Sequence, residues 1–199
     1  MAISLVKGQK INLAKEDGTQ LQIVQVGVNW GAIEKKGLFG KKSVAVDLDA
    51  SVGLFSANGD LKDVIYFGQL QSRCASVRHS GDDRIGDVGG DDDQDNEVIT
   101  IDLDAVPAEI HHVAVVLNSF KKQDFADIPH AGVRIFDGRA KTEFATFDVS
   151  NDSSFAGKVS MVLANVYRHN GAWKFRSIGE ATSDQDLKST LRTFAARYI

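Results

Sequence analysis

Three observations predict that this 199-residue sequence folds as an all-β protein, a two-sheet β-sandwich with one C-terminal helix. Apolar and polar residues alternate with period two along most of the chain, Asn-Gly pairs punctuate it at Asn58-Gly59 and Asn170-Gly171, and helical spacing emerges only near the C-terminus. Alternation gives each strand one face for a core and one for water, and about ten short runs at even spacing suit a sandwich. No shift in composition marks a boundary, so residues 1–199 are expected to form a single domain.

The first strong run is Gln22 to Trp30. In Val44 to Leu54 the even positions are apolar, while Ser43, Asp47, Asp49 and Ser51 fall on the other face, so Asp47 and Asp49 point the same way. Asn58-Gly59 supplies the positive φ angles of a tight reversal into Val64 to Phe67. Further strands are expected at Gln69 to His79, Val98 to Leu103, Val113 to Phe120, Gly132 to Phe136, Glu143 to Val149, Val159 to Tyr167 and Ala172 to Ile178. Ser183 is a candidate helix cap, and Leu187, Leu191, Phe194 and Tyr198 make an apolar stripe suited to packing on the sandwich.

The chain carries 23 basic and 27 acidic residues, a net charge of −4 that conceals a strong local asymmetry. Between Asp82 and Glu97 eight acids face a single base, Arg84, which places −7 in one loop and leaves +3 for the remainder. The N-terminus has no signal-peptide pattern and no apolar run approaches the length of a membrane-spanning helix, so a soluble, intracellular protein is expected. Cys74 is the single cysteine, which excludes an internal disulfide and a cysteine-based zinc site; its strand pattern predicts a buried thiol.

Glycines 81, 86, 89 and 90 allow the acidic loop to reverse, so its carboxylates can converge. Two like charges about 4 Å apart repel by roughly 4 kcal/mol at an effective dielectric near 20. Such a cluster must raise its pKa values, stay extended in water, or bind a cation. Composition leaves a solvated acidic loop and a divalent-cation site as the two readings. The glycine pattern and the flanking strands favour the second, and an oxygen-only donor set suits Ca2+. It is not an EF-hand, because that register would place Asn96 where glycine is needed and Asp102 where a bidentate Glu belongs.

Val46-Asp47-Leu48-Asp49-Ala50-Ser51, Ser80-Gly81-Asp82-Asp83-Arg84 running into Gly90-Asp91-Asp92, and Tyr167-Arg168-His169-Asn170-Gly171-Ala172-Trp173-Lys174 together resemble the TerD family of bacterial tellurite-resistance and general stress proteins, nearest its TerZ-like branch. The resemblance implies a cytoplasmic, non-enzymatic β-sandwich that binds calcium, two Ca2+ ions, through its acidic loops. It also implies a link to tolerance of tellurite, other chemical stress, phage and colicins, with other stress or tellurite-resistance proteins as partners. The family loop reads Gly-Asp-Asn-Arg-Thr-Gly-Glu-Gly-Asp-Gly-Asp-Asp-Glu. Gly81, Asp82, Arg84, Gly86, Gly90, Asp91 and Asp92 match it, while Asp87 and Asp93 replace Glu and Asp83 replaces Asn. Ile85 stands for Thr, Val88 for Gly, and Gly89 where the family often has an Asp ligand; His130 stands where Asn is frequent. Asp83 and Asp95 are the available replacements, or else one of two sites is the weaker. The implied metal ligands are Asp47, Asp49, Asp82, Asp83, Asp87, Asp91, Asp92, Asp93 and Glu97.

No other motif competes. The five histidines show no metal-ligand spacing and are expected in surface or hydrogen-bonding roles, and neither a nucleophile elbow nor a P-loop is present. Lys35, Lys36, Lys41 and Lys42 flank Leu38 and Phe39, a composition that suits either a solvated hairpin or peripheral contact with anionic lipid, and no broad basic face points to nucleic acid. Two alternatives to a calcium-binding stress protein follow, a Ca2+-dependent membrane-associating module and a metal-dependent hydrolase.

Overall fold

The computed structural model describes residues 2–37, 40–149 and 152–199. Its strands are β1 (Ile3–Leu5), β2 (Lys10–Asn12), β3 (Ile23–Trp30), β4 (Ile33–Gly37), β5 (Gly40–Val44), β6 (Leu48–Phe55) and β7 (Leu61–Ile65). They continue as β8 (Val77–His79), β9 (Glu97–Asp102), β10 (His112–Ser119), β11 (Ala131–Asp137), β12 (Thr142–Asp148), β13 (Ser160–His169) and β14 (Ala172–Thr182), before helix α1 (Leu187–Tyr198). One sheet has the order β1-β12-β11-β3-β9-β8 and the other β2-β14-β13-β10-β6-β7, while β4 and β5 form a separate hairpin. Among the described strands the pairings are antiparallel except that of β1 with β12. Since β1 joins one sheet and β2 the other, the first turn of the chain ties the two layers together.

The core follows from the predicted alternation. Val24, Val26 and Val28 of β3, Ile99 and Ile101 of β9, and Leu48, Ala50, Val52 and Leu54 of β6 interleave between the sheets. β6 is buried on both faces because α1 lies over its other side, where Phe55 packs with Leu191 and Phe194. The Phe55 and Phe194 rings stand 5.3 Å apart. Gly53 makes this close approach feasible, since a Cβ there would lie 2.8 Å from Leu191 Cδ2. The helix N-cap is Asp186, which accepts from Ser189 N at 2.9 Å; Ser183 lies outside the helix.

Three predicted strands differ from expectation; the one expected at Val64 to Phe67 lies earlier, as β7 ending at Ile65 with Phe67 in the following turn, and two others are shorter. Val44 ends the hairpin strand β5, and the chain then leaves sheet pairing until Leu48. The gap arises because the backbone there finds other partners: Val46 N donates to Ile85 O, Val46 O accepts from the Trp30 indole, and Asp47 N donates to Gln123 Oε1. The run from Gln69 to His79 is strand only at Val77–His79, because Ala75 adopts φ +60° in a turn. Cys74 therefore sits half-buried in that turn, its sulfur 3.0 Å from Ser76 Oγ and 3.4 Å from Ser72 Oγ. Burial alone would raise the thiol pKa, but these hydrogen bonds outweigh it and hold it below the usual value.

The lysine-rich segment is a hairpin, as one of its two readings expected, with Lys35 opposite Lys42. Leu38 and Phe39, the tip that peripheral membrane contact would use, lie outside the described residues. No described helix is long and apolar enough to cross a membrane.

Candidate metal centre

The acidic loop leaves β8 at His79 and returns into β9 at Glu97, at one end of the sandwich. Its base is a buried clasp between the sheets. β7 pairs with β6 only from Val52 onward, which leaves the outer N–H and C=O of Ala50 without a strand partner. Glu97 and His79 reach across from the other sheet to fill both roles: Glu97 Oε2 accepts from Ala50 N at 2.8 Å, and His79 Nε2 meets Ala50 O at 2.9 Å. Gly81 N donates to His79 Nδ1 at 3.0 Å, so the proton sits on Nε2, 3.3 Å from Glu97 Oε2. Burial pushes the Glu97 carboxyl above its usual range despite these bonds. Its Oε1 also accepts from Asp83 N at 3.2 Å, anchoring the loop to the clasp.

Two groups of carboxylates stand above this base. Asp47, Asp49 and Asp82 each offer an oxygen within 4.8 Å of the others, and so do Asp87, Asp91 and Asp92. In the first group Asp47 and Asp49 are buried, at 2% and 7% exposure, and Asp82 is exposed. Burial, together with the charges of Glu97, Asp47 and Asp82, raises the Asp49 pKa to about 7. Among the described residues Lys121 supplies a cation to Asp47, with Nζ 3.1 Å from Asp47 Oδ2.

The second group is more open, with Asp87 half-buried and Asp91 and Asp92 exposed. Amide side chains organise it. Asn96 Nδ2 donates to Asp87 Oδ1 at 2.9 Å and to Asp83 Oδ2 at 3.2 Å, while its Oδ1 accepts from Trp30 N. Asn29 Nδ2 donates to Asp87 Oδ2 at 2.9 Å and Gln94 O at 2.7 Å. The remaining Asn29 oxygen is buried without a hydrogen-bond partner, and residues Asn29 and Asp91 both line a neighbouring cavity. Gly86 adopts φ +63° with its Cα against Trp30, where a Cβ would come within 2.6 Å of the indole.

The predicted ligands thus divide. Six of the nine fall into the two groups. Asp83 is turned to the backbone, its Oδ1 accepting from Ile85 N and Gly86 N. Asp93 is exposed at φ +62° and donates its N–H to Asp91 Oδ1. Glu97 is wholly buried in the clasp. Asp95, a candidate replacement ligand, is paired with Arg134 at 2.8 Å and packs on Gly27, where a Cβ would meet its carboxylate at 2.0 Å. Asn29, Asn96 and Lys121 were not singled out from sequence. Asn29 falls on the polar phase of the β3 alternation with Gln25, so the pattern gives no signal of its role.

The donor chemistry fits a metal. Both groups offer only hard oxygens, and an orphaned buried carbonyl oxygen lies beside the second. Either group could hold an ion.

Comparison with known proteins agrees with this architecture. The TerD domain model matches residues 1–194. The chain is 38% identical to stress response protein SCP2 of Bacillus subtilis, over 100% of both chains. It is 36% identical to tellurium resistance protein TerZ of Serratia marcescens, over 90% of each. A crystal structure of a homologue of telluride resistance protein (TerD) from Streptomyces coelicolor A3(2) superposes with a TM-score of 0.64 at 22% identity, covering 88% of this chain and 95% of that one. These relatives bear the names of resistance and stress proteins, and the chain belongs to the TerD family.

Proposed function

We propose that this chain is a calcium-binding, non-enzymatic stress-response protein of the tellurite-resistance type, acting in the cytoplasm as a single sandwich domain with other stress proteins as partners. The observation that carries this is the convergence of Asp47, Asp49 and Asp82 over a buried Glu97, with Asp49 pushed toward neutrality by burial and then by the charges of Glu97, Asp47 and Asp82. Such an arrangement is costly alone and favourable around a cation. Asp47, Asp49 and Asp82 would hold one ion; Asp87, Asp91 and Asp92, with Asn29 Oδ1, would hold a second. Ca2+ suits the oxygen supply and the flexible loop better than Mg2+, which demands near-ideal octahedral geometry. When bound, the ion would supply positive charge that offsets the repulsion within a group and favours the ionised form of Asp49.

The non-enzymatic assignment draws support from His79. Both of its ring nitrogens are engaged, with Gly81 on one side and Ala50 and Glu97 on the other, so it is not free to serve as a general base. Calorimetry of chelator-treated protein with Ca2+ in excess Mg2+, repeated on Asp49→Asn and Asp91→Asn, tests the proposal. Saturable Ca2+ heat that each substitution reduces is expected; no heat in the wild type overturns it.

A further inference from the structure

Helix α1 covers only part of the outer face of its sheet, where it lies over Phe55, Ala114, Val116, Val162 and Ile178. Beyond that cover, strand register places Lys10 opposite Arg176, Arg176 opposite Asn165, Lys174 opposite Tyr167, and Tyr167 opposite His112. Paired residues of neighbouring strands share a face, so β2, β14, β13 and β10 build one patch from cations and rings far apart in sequence. The Tyr167 and His112 rings lie 10° from parallel with centroids 6.2 Å apart, and His169 meets Tyr167 edge-on at 6.4 Å. Among the described residues Lys10, Lys174 and Arg176 make no salt bridge. The Arg176 guanidinium stands over the Tyr198 ring, 5.3 Å from its centroid. Asn165 Nδ2 donates to His112 Nδ1 at 3.1 Å, which leaves the imidazole proton on Nε2 as a donor. Glu180, on the same face, is already taken up by the Tyr198 hydroxyl and Arg197.

The acidic loop has the complementary composition. Asp82, Asp91, Asp92 and Asp93 are exposed on it, and so are Ile85 and Val88, at 56% and 50%. Loop and patch lie at opposite ends of the sandwich. β10 pairs Ser119 with Leu48 near the loop and His112 with Phe55 at the patch, about 24 Å apart along the strand. One molecule therefore cannot bring its own loop onto its own patch.

We propose that the acidic loop of one copy docks on the Lys10, Lys174 and Arg176 patch of a second copy. Carboxylates meet unpaired cations, and Ile85 and Val88 meet the rings of Tyr167 and His112, so charge and apolar surface match together. Two different surfaces are joined, so the contact is heterologous and propagates head to tail, into open chains or a closed ring. A nucleic acid fits less well, because three cations would neutralise few phosphates on a chain of net charge −4. No metal at the loop is required, and a bound cation would weaken the contact by lowering the loop's charge.

Sedimentation equilibrium of the full chain in chelator, at low and at high salt, tests this contact independently of calcium. A mass that rises with concentration past that of a dimer is expected, with association about tenfold weaker at high salt. Lys10→Glu/Lys174→Glu and Ile85→Lys/Val88→Lys, each with the wild-type melting temperature, should stay monomeric alone. Mixed, they should form a one-to-one dimer, since each supplies the surface that the other has lost. Should the loop variant fail to fold, Ile85→Ser/Val88→Ser takes its place with the same expected outcome. A wild type that stays monomeric at every concentration overturns the proposal. So does a dimer that persists in either variant alone, or a mixture of folded variants that remains monomeric. A monomeric wild type that binds a labelled single-stranded oligonucleotide, with binding lost in Lys10→Glu/Lys174→Glu, assigns the patch to nucleic acid and also overturns it.

Discussion

Asp47 and Asp49 are fixed beside and on an inner strand, nearly inaccessible to water, with Lys121 as a tethered counter-charge. Asp91 and Asp92 project from a glycine-flanked loop into solvent and are shaped mainly by hydrogen bonds within that loop. The carboxylate chemistry is the same in both groups, so the contrast isolates what burial does. Solvent surrounds the second group, whereas in the first burial, and after it the charges of Glu97, Asp47 and Asp82, raises the Asp49 pKa to about 7. Rigidity and electrostatic cost therefore coincide in the first group, and a cation there has the most to relieve.

The largest expected effect comes from removing the clasp beneath the first group. Glu97→Ala strips Ala50 N of its partner and leaves His79 buried without its carboxylate, and should cost about 3 kcal/mol in urea unfolding. Asn96→Ala, the matching deletion in the open group, should cost closer to about 1 kcal/mol. Equal losses would erase the distinction between the two regions.

Next in size is a substitution with effects of opposite sign. The folded-state pKa of Asp49 lies above the ordinary carboxylate value, so the native chain holds a proton that the unfolded chain has already released. Its contribution to stability is full below about pH 4 and is lost as pH rises toward and through about 7. At pH 8 and without divalent ions, Asp49→Asn should therefore be more stable than the wild type, by about 2 kcal/mol, while losing the first group's share of the response to Ca2+. Urea titrations from pH 5 to pH 8 should show a flatter profile for the variant. A parallel pair of profiles would contradict the assignment.

A smaller effect is expected at Lys121. Lys121→Met removes the internal competitor at Asp47 and should tighten Ca2+ binding at the first group by about twofold to fivefold, leaving the second unchanged. Two-site calorimetry separates the two. The smallest change is expected for Asp91→Asn, which should alter stability without cations by no more than about 0.5 kcal/mol in a urea melt, because its carboxylate is solvated.

Much of the fold was legible because it rests on local periodicity. Alternation located β3, β6, β9 to β14 and the helical stripe, and it put Asp47 and Asp49 on one side before any fold was known. β1 and β2 were not found, since three residues make too short a window for alternation. The break at Ala45 to Asp47 was hidden because Ile85, Trp30 and Gln123, all distant in sequence, replace the strand partner. The carboxylate clustering could be anticipated from charge density and glycines, but its division into two groups could not. That division depends on Asn96 bridging Asp83 to Asp87 and on Arg134 withdrawing Asp95, contacts that only the folded sheets create. Lys121 escaped notice for the same reason, since nothing in its neighbourhood marks it as the counter-charge of Asp47.

Cation binding to the native state is the central claim, and thermal unfolding tests it most directly. Ca2+ binding at the first group should stabilise chelator-treated wild type by about 2.7 kcal/mol at free Ca2+ a hundredfold above that group's dissociation constant, with the gain reversed by chelator and this share of it lost in Asp49→Asn. A melting temperature indifferent to both Ca2+ and chelator would contradict the account.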